Sequence, residues 1–336
     1  MANRLFLIHN NHVDDPRINL ALEEYATGHV DLNHGYLLLY VNRPSVIIGR
    51  NQNPLLEVDS AYLAENNMPL VRRISGGGAV YHDHGNLNFS FITRFDPAYL
   101  NNYAFFAAPI IAALKGMGVP AALNAGNDIV VDGRKISGIS QYSNGKGLLV
   151  HGTLLFDARL DVLWNALAPP SDPMASKAVR SLRSPVANIV EFLPSDVSMH
   201  AFKSGIRDGV VDAWGGDGSV YRLDGHQWDV VDALARDKYH SWHWNHGRSP
   251  RFSLVLPGRS DTGPFQVRVV IEKGHIKQVA IRGSFPDPEA IRGLERRLIG
   301  CLYRKIDVER VLSGIDPAPC LGGITRKAFV DVLVRE

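Results

Sequence analysis

Arg72-Arg73-Ile74-Ser75-Gly76-Gly77-Gly78-Ala79-Val80-Tyr81-His82-Asp83-His84-Gly85-Asn86-Leu87-Asn88-Phe89-Ser90 is the stretch on which the reading of this chain turns. Two arginines and a serine lead into three consecutive glycines. Glycine takes positive φ without a Cβ penalty and lets the backbone approach a ligand closely. Successive peptide N–H groups in such a loop can converge on one anion. A neighbouring arginine adds a charge-assisted contact to phosphate or carboxylate. The stretch is therefore either a phosphate-cradling loop or a plain tight turn. It has neither the GxxxxGK[ST] spacing of a P-loop nor a GxGxxG followed by an acidic residue about 20 positions on. Leu87, Phe89 and Phe91 alternate with Asn88 and Ser90, which predicts a half-buried strand leaving the loop.

Working outward, strands and helices alternate. Asp15-Pro16 is a helix start, with Asp as N-cap and Pro at the first helical position. Ile18, Ala21, Leu22 and Tyr25 continue that helix at its own spacing. Residues 36–41 and 46–48 read as strands broken by Arg43-Pro44, and residues 60–66 close a short helix. Residues 103–117 form a core helix through Phe106, Ile110, Ala113, Leu114 and Met117, whose spacing marks them as packing positions.

A second informative segment is Asn127-Asp128-Ile129-Val130-Val131-Asp132-Gly133-Arg134-Lys135-Ile136-Ser137-Gly138. Asp132-Gly133 between apolar runs predicts a two-residue hairpin with a type I′ turn. Val131 then faces Arg134, Val130 faces Lys135, and Asp128 faces Ser137. Asp128, Val130, Lys135 and Ser137 share one face by alternation, while Ile129, Val131 and Ile136 turn to the core. Lys135 lies diagonally across from Asp128, within reach. On residues alone this is either an ordinary surface ion pair or a functional one.

The 336 residues are 45% hydrophobic and 21% charged, enough for one large domain and a small one. No apolar run approaches the ~20 residues of a membrane span, and residues 1–10 do not read as a targeting peptide. Cys301 and Cys320 are the two cysteines, which suggests a reducing compartment rather than a disulfide scaffold. A net charge of +2 gives no argument for nucleic acid and suits an acidic protein partner.

As a whole, residues 72–86 resemble the signature of lipoate–protein ligases, which group with the biotin protein ligases: Arg-Arg-x-Ser-Gly-Gly-Gly-Ala-Val-aromatic-His-Asp-x-Gly-Asn is met without a gap. Asn127-Asp128 and Arg134-Lys135-Ile136-Ser137-Gly138 are similar to that family's second motif, and His151-Gly152-Thr153 to its third. Residues 177–188 resemble its basic loop. Trp242-His243-Trp244-Asn245, Glu272-Lys273-Gly274-His275-Ile276 and Gly300-Cys301-Leu302-Tyr303-Arg304 resemble the accessory C-terminal domain of its long forms.

The resemblance implies an α+β fold. A biotin/lipoate-ligase-like catalytic domain of mixed sheets flanked by helices would occupy residues 1–246. A small α/β accessory domain would occupy residues 252–336, with a hairpin around Gly274 and a helix over 289–303. It also implies ATP-dependent conversion of lipoate to lipoyl-AMP, then transfer to a lysine of lipoyl-domain proteins in the cytoplasm. Those partners would be acidic E2 subunits of 2-oxoacid dehydrogenases and the glycine cleavage H protein, with no nucleic acid or membrane involved. Lys135 becomes the central catalytic residue, holding the lipoate carboxylate and the α-phosphate together. Arg73, Gly78, Ala79, Val80 and Tyr81 would bind ATP, with Lys135; Ser75, Gly76 and Gly77 would line the lipoate side. Asn86, Asn127, Asp128, His151 and Arg183 would support the site, Asp128 also through Mg²⁺. His151 could equally be a structural histidine, and residues 177–188 either a closing lid or a solvated basic loop.

Rival activities can be weighed. Octanoyl transferases of the same fold use a cysteine nucleophile, and no cysteine precedes Cys301. A lipoyltransferase restricted to preformed lipoyl-AMP shares most of these motifs. Biotin ligases carry a differently worded glycine signature. A non-catalytic lipoyl-domain-binding or lipoate-scavenging protein conflicts with intact Arg73, Gly76 to Gly78 and Lys135.

Overall fold

The computed structural model describes residues 4–168, 174–181 and 184–334. The chain divides into two compact units, interleaved along the sequence. Met1–Arg50, Met68–Leu163 and Ser181–Ser241 form one; Asn51–Asn67, Trp164–Arg180 and Trp242–Glu336 form the other. The first ten strands belong to the first unit. They are β1 (Leu5–Ile8), β2 (Gly35–Val41), β3 (Ser45–Ile48), β4 (Leu70–Arg72), β5 (Val80–His82), β6 (Asn86–Arg94), β7 (Ala122–Leu123), β8 (Asp128–Val131), β9 (Arg134–Ser143) and β10 (Gly147–Leu155). β11 (Met174–Ser176) lies in the second unit and β12 (Val220–Tyr221) in the first.

One mixed sheet of eight strands runs in the order β12-β1-β2-β6-β10-β9-β8-β7, and β4-β3-β5 make a small second sheet. Alternation along the central strands gives the large sheet two faces. Leu87, Phe89 and Phe91 of β6 join Leu37, Leu39, Leu148 and Val150 on one of them. The helices Tyr103–Gly116 and Met199–Trp214 cover it with Phe106, Ile110, Leu114, Phe202 and Ile206. On the other face the register aligns Ser140, His151 and Ser90 in one row, and Thr153, Asn88 and Tyr40 in the next. β6 is therefore not half-buried as its alternation suggests: Asn86 to Thr93 are buried throughout. The polar side is covered too, by the helix Pro16–His29 with its buried Asn19, Glu23 and Thr27.

Local chemistry sets the elements. Asp15 caps the Pro16–His29 helix by accepting from the Arg17 N–H, with Pro16 at its first position. Asp132 and Gly133 take φ of 49° and 74°, the I′ geometry that joins β8 to β9. Val131 pairs with Arg134 and Val130 with Lys135, as expected, but a bulge then shifts the register. Ser137 pairs with Ile129 and Asp128 with Gly138, so the expected Asp128–Ser137 pairing does not form.

In the second unit, β11 pairs with β13 (Phe252–Ser260), followed by β14 (Gly263–Glu272) and β15 (His275–Gly283). Leu254, Val267, Val269 and Ile281 pack with Leu294, Leu298 and Phe329 from its helices. Lys273 and Gly274 make the turn with positive φ. The helix expected over 289–303 runs only over Pro288–Leu298. Gly300 at φ 88° ends it, and Leu302 crosses to bridge with His275. Among the described residues, no helix is long and apolar enough to cross a membrane.

Candidate active site

The glycine loop joins β4 to β5 and is braced from beneath by Arg73. The Arg73 Nε donates to Ser75 Oγ at 3.0 Å and Gly76 O at 3.1 Å. Its Nη2 donates to Gly76 O at 2.5 Å and Gly78 O at 2.8 Å, and its Nη1 to Ile47 O at 3.3 Å. A trans peptide points its C=O and the following N–H in opposite directions. With the Gly76 and Gly78 carbonyls turned to Arg73, the N–H groups of Gly77 and Ala79 face away from it. Gly77, at φ 89°, is the exposed tip. A Cβ on Gly49 would sit 2.1 Å from Gly77 O, so the loop lies directly on that backbone. On its other side the Ala79 N–H donates to Ser181 Oγ at 2.9 Å.

Beneath the loop lies a buried polar cluster centred on Glu23, which is 0% exposed. Glu23 Oε1 accepts from Tyr40 Oη at 2.9 Å and from Ser90 Oγ. Its Oε2 lies 2.9 Å from His151 Nδ1, and His151 Nε2 lies 2.6 Å from Ser75 Oγ. His82 Nδ1 sits 3.0 Å from Asn42 Nδ2, while its Nε2 is buried with no hydrogen-bond partner among the described residues. Burial, and then the charge of Arg73, push the His82 pKa down to about 3. Burial lowers Arg73 to about 10 against the opposing pull of Glu23. The Tyr40 hydroxyl is raised well above its ordinary value by burial and by Glu23.

β9 carries the catalytic candidates past this cluster. Lys135 Nζ is 2.8 Å from Asp128 Oδ1, both groups about a quarter exposed. The ammonium curls over Gly138, where a Cβ would lie 2.9 Å from Nζ. Five residues on, Ser140 Oγ donates to Gly76 O at 3.0 Å, so β9 touches the loop as well. The Lys135 backbone is pinned by its N–H to Pro185 O at 2.8 Å and by the Ala187 N–H to its own carbonyl at 3.0 Å.

The expected residues thus gather at two neighbouring positions along β9. Ser75, Gly76, Gly77, Gly78 and Ala79 form the loop; Lys135 and Asp128 form the ion pair. Val80 and Tyr81 lie in β5, Tyr81 buried. Asn127 donates its amide to Ile139 O and so ties β8 to β9. Asn86 is buried with its Oδ1 lacking a partner among the described residues. Arg183 lies outside the described residues, as do Leu182, Pro169 and Pro170. Sequence reasoning missed Glu23, Tyr40, His82, Ser90 and Ser140. A signal existed for Glu23: it sits four residues after Asn19 and four before Thr27, a polar stripe along one face of the helix.

Comparison with known proteins decides the family. Residues 15–210 match the lipoyl protein ligase A/B catalytic domain, and residues 249–333 the bacterial lipoate protein ligase C-terminus. The chain belongs to the lipoyl protein ligase family. It is 41% identical over 330 residues to lipoate-protein ligase LplJ of Bacillus subtilis, covering 98% of this chain and 100% of that one. A solved bipartite lipoate protein ligase of Thermoplasma acidophilum, described with its E2 lipoyl domain, superposes with TM-score 0.64 at 26% identity. That match covers 73% of this chain and 96% of the other. A lipoate-protein ligase A bound with ATP gives TM-score 0.61 at 28% identity, over 73% of this chain and 98% of that one. In this lipoyl protein ligase, burial raises the Cys301 thiol to about 11 and also raises Cys320, the reverse of what a cysteine acyl carrier requires.

Proposed function

We infer that this chain is an ATP-dependent lipoate–protein ligase. The observation that carries the reading is Lys135, paired with Asp128 of β8 and lying on β9, whose Ser140 also holds the glycine loop. A carboxylate is a poor acyl donor. A lipoate oxygen attacks the α-phosphorus of ATP, pyrophosphate leaves, and the acyl carbon acquires AMP as a leaving group. The ε-amine of an acceptor lysine then attacks that carbon, losing a proton as AMP departs. Lys135 brings the carboxylate and α-phosphate together and offsets the charge that builds between them. Asp128 holds the Lys135 ammonium in place. The outward Gly77 N–H of the glycine loop receives a phosphate of the nucleotide, and Arg73 acts from below by setting the loop's shape.

Mg²⁺ fits this site only as a substrate-borne ion. Among the described residues no group of three His, Cys, Asp or Glu side chains could hold a metal. Asp128 is a single carboxylate, the kind of partial ligand set Mg²⁺ accepts when phosphates complete it. Bound there, Mg²⁺ would neutralise phosphate charge. The exposed Lys177 and Arg180 support docking of acidic lipoyl domains, of E2 or H-protein type. The free thiols of Cys301 and Cys320 support a cytoplasmic setting. Working domains at 1–246 and 252–336 are supported in outline by separate family matches over 15–210 and 249–333.

Incubating the protein with lipoate, an acceptor lipoyl domain and ATP tests the reading by intact mass. The expected result is one lipoyl increment on the acceptor that requires ATP. An unmodified acceptor overturns it.

A further inference from the structure

One continuous chain of hydrogen bonds runs from the Pro16–His29 helix to the glycine loop. Its links are Glu23 Oε2 to His151 Nδ1 at 2.9 Å, His151 Nε2 to Ser75 Oγ at 2.6 Å, and Ser75 Oγ to Arg73 Nε at 3.0 Å. Arg73 Nη2 then reaches Gly78 O at 2.8 Å. The chain has a direction. A carboxylate only accepts, so His151 carries its proton on Nδ1 toward Glu23. Arg73 only donates, so Ser75 Oγ accepts from it. With His151 neutral, the Ser75 hydroxyl donates to Nε2 and every link is satisfied. With His151 charged, Nε2–H donates to Ser75 instead, and the hydroxyl hydrogen must find another acceptor.

A Glu–His–Ser row resembles the arrangement that activates a serine nucleophile. Here Ser75 is 1% exposed and already accepts from Arg73, so it is placed to shape the loop rather than to attack. The groups facing His151 are Glu23 from the helix, Ser75 and Arg73 from the loop, Ser90 from β6 and Ser140 from β9. Tyr40 of β2 reaches it through Glu23, and His82 of β5 lies close enough to feel its charge. An oxyanion arriving on the loop adds negative charge above Arg73 and His151, and it favours the charged imidazole.

We propose that Glu23, acting through His151 and Ser75, is a positioning residue for the glycine loop, and that seating an oxyanion on that loop draws a proton onto His151. The proposal rests on the ligase reading for the identity of the oxyanion, which is either a lipoate carboxylate or an ATP phosphate. The sign follows from linkage. A ligand that takes up a proton on binding loses affinity as pH rises, by at most about tenfold per unit.

Calorimetric titration of the full chain in two buffers of different ionisation enthalpy reads the proton directly, with ATP and lipoate as separate arms. Wild type should show buffer-dependent heat of up to one proton for the ligand that seats on the loop. Glu23→Gln and His151→Gln should lose that heat, and the KM for the same ligand should rise about tenfold with kcat less affected. Ser75→Ala serves if either fails to fold, since it breaks the chain without removing a buried charge. Wild-type binding with no buffer dependence overturns the proposal alone, as does undiminished uptake in His151→Gln. Wild type that binds neither ATP nor lipoate overturns the ligase reading beneath it.

Discussion

The two faces of the eight-stranded sheet are equally buried and chemically opposite. Phe89 is 0% exposed on one, and Asn88, its neighbour in β6, is 2% exposed on the other. The apolar face is held by area, at about 1.5–3 kcal/mol for each large side chain. That force has no direction, and it leaves the packing helices some freedom in composition. The polar face is held by bonds that do have direction. Glu23, Tyr40, Ser90, His151 and Ser75 each need a particular partner, because an unmade bond there costs about 1–3 kcal/mol. One face supplies stability; the other spends some of it on fixing the glycine loop and the strand that carries Lys135.

Substitutions should separate the two. Phe106→Ala, in the apolar core, should lower unfolding free energy by about 3–5 kcal/mol in denaturant titration. Activity per folded molecule should persist. Lys135→Ala should do the reverse: adenylate formation falls by about 10²–10³-fold or more, with the denaturation midpoint nearly unmoved. Gly138→Ala should be intermediate, because its Cβ would meet Lys135 Nζ at 2.9 Å. Displacing the ammonium should slow adenylation by about ten- to a hundredfold, read as kcat in the exchange assay.

A further effect, spread over several pH units, concerns acid. His82 has a folded pKa near 3 against an unfolded value near 6.5. Between those values the unfolded chain binds the extra proton, so this contribution is complete above pH 6.5 and is lost as pH falls toward 3. Unfolding free energy should drop by at most about 1.4 kcal/mol per pH unit from this group. His82→Asn should flatten the acid limb of a stability-versus-pH curve by that amount. An unchanged limb would place the titration elsewhere.

Much of this arrangement was legible in residues. Asp15-Pro16 and Asp132-Gly133 act locally, through a cap and a two-residue turn, and both formed as expected. The apolar side of β6 and the 103–116 helix followed from periodicity. What could not be read came from longer range. The bulge that places Asp128 opposite Gly138 is a register choice made by the whole sheet. The burial of Asn88 and Ser90 depends on the distant Pro16–His29 helix covering them, which alternation cannot announce. Glu23 sits in a polar stripe with Asn19 and Thr27, and its partners come from β2, β6 and β10, which no local pattern names. Gly300 ended a helix whose amphipathic pattern ran on past it.

Lipoate-dependent ATP–pyrophosphate exchange by the purified full chain, with no acceptor present, isolates the activation step. Exchange should need lipoate and disappear in Lys135→Ala. No exchange from wild type, with transfer restored by synthetic lipoyl-adenylate, would contradict the ligase reading and leave a transferase that cannot activate its own substrate.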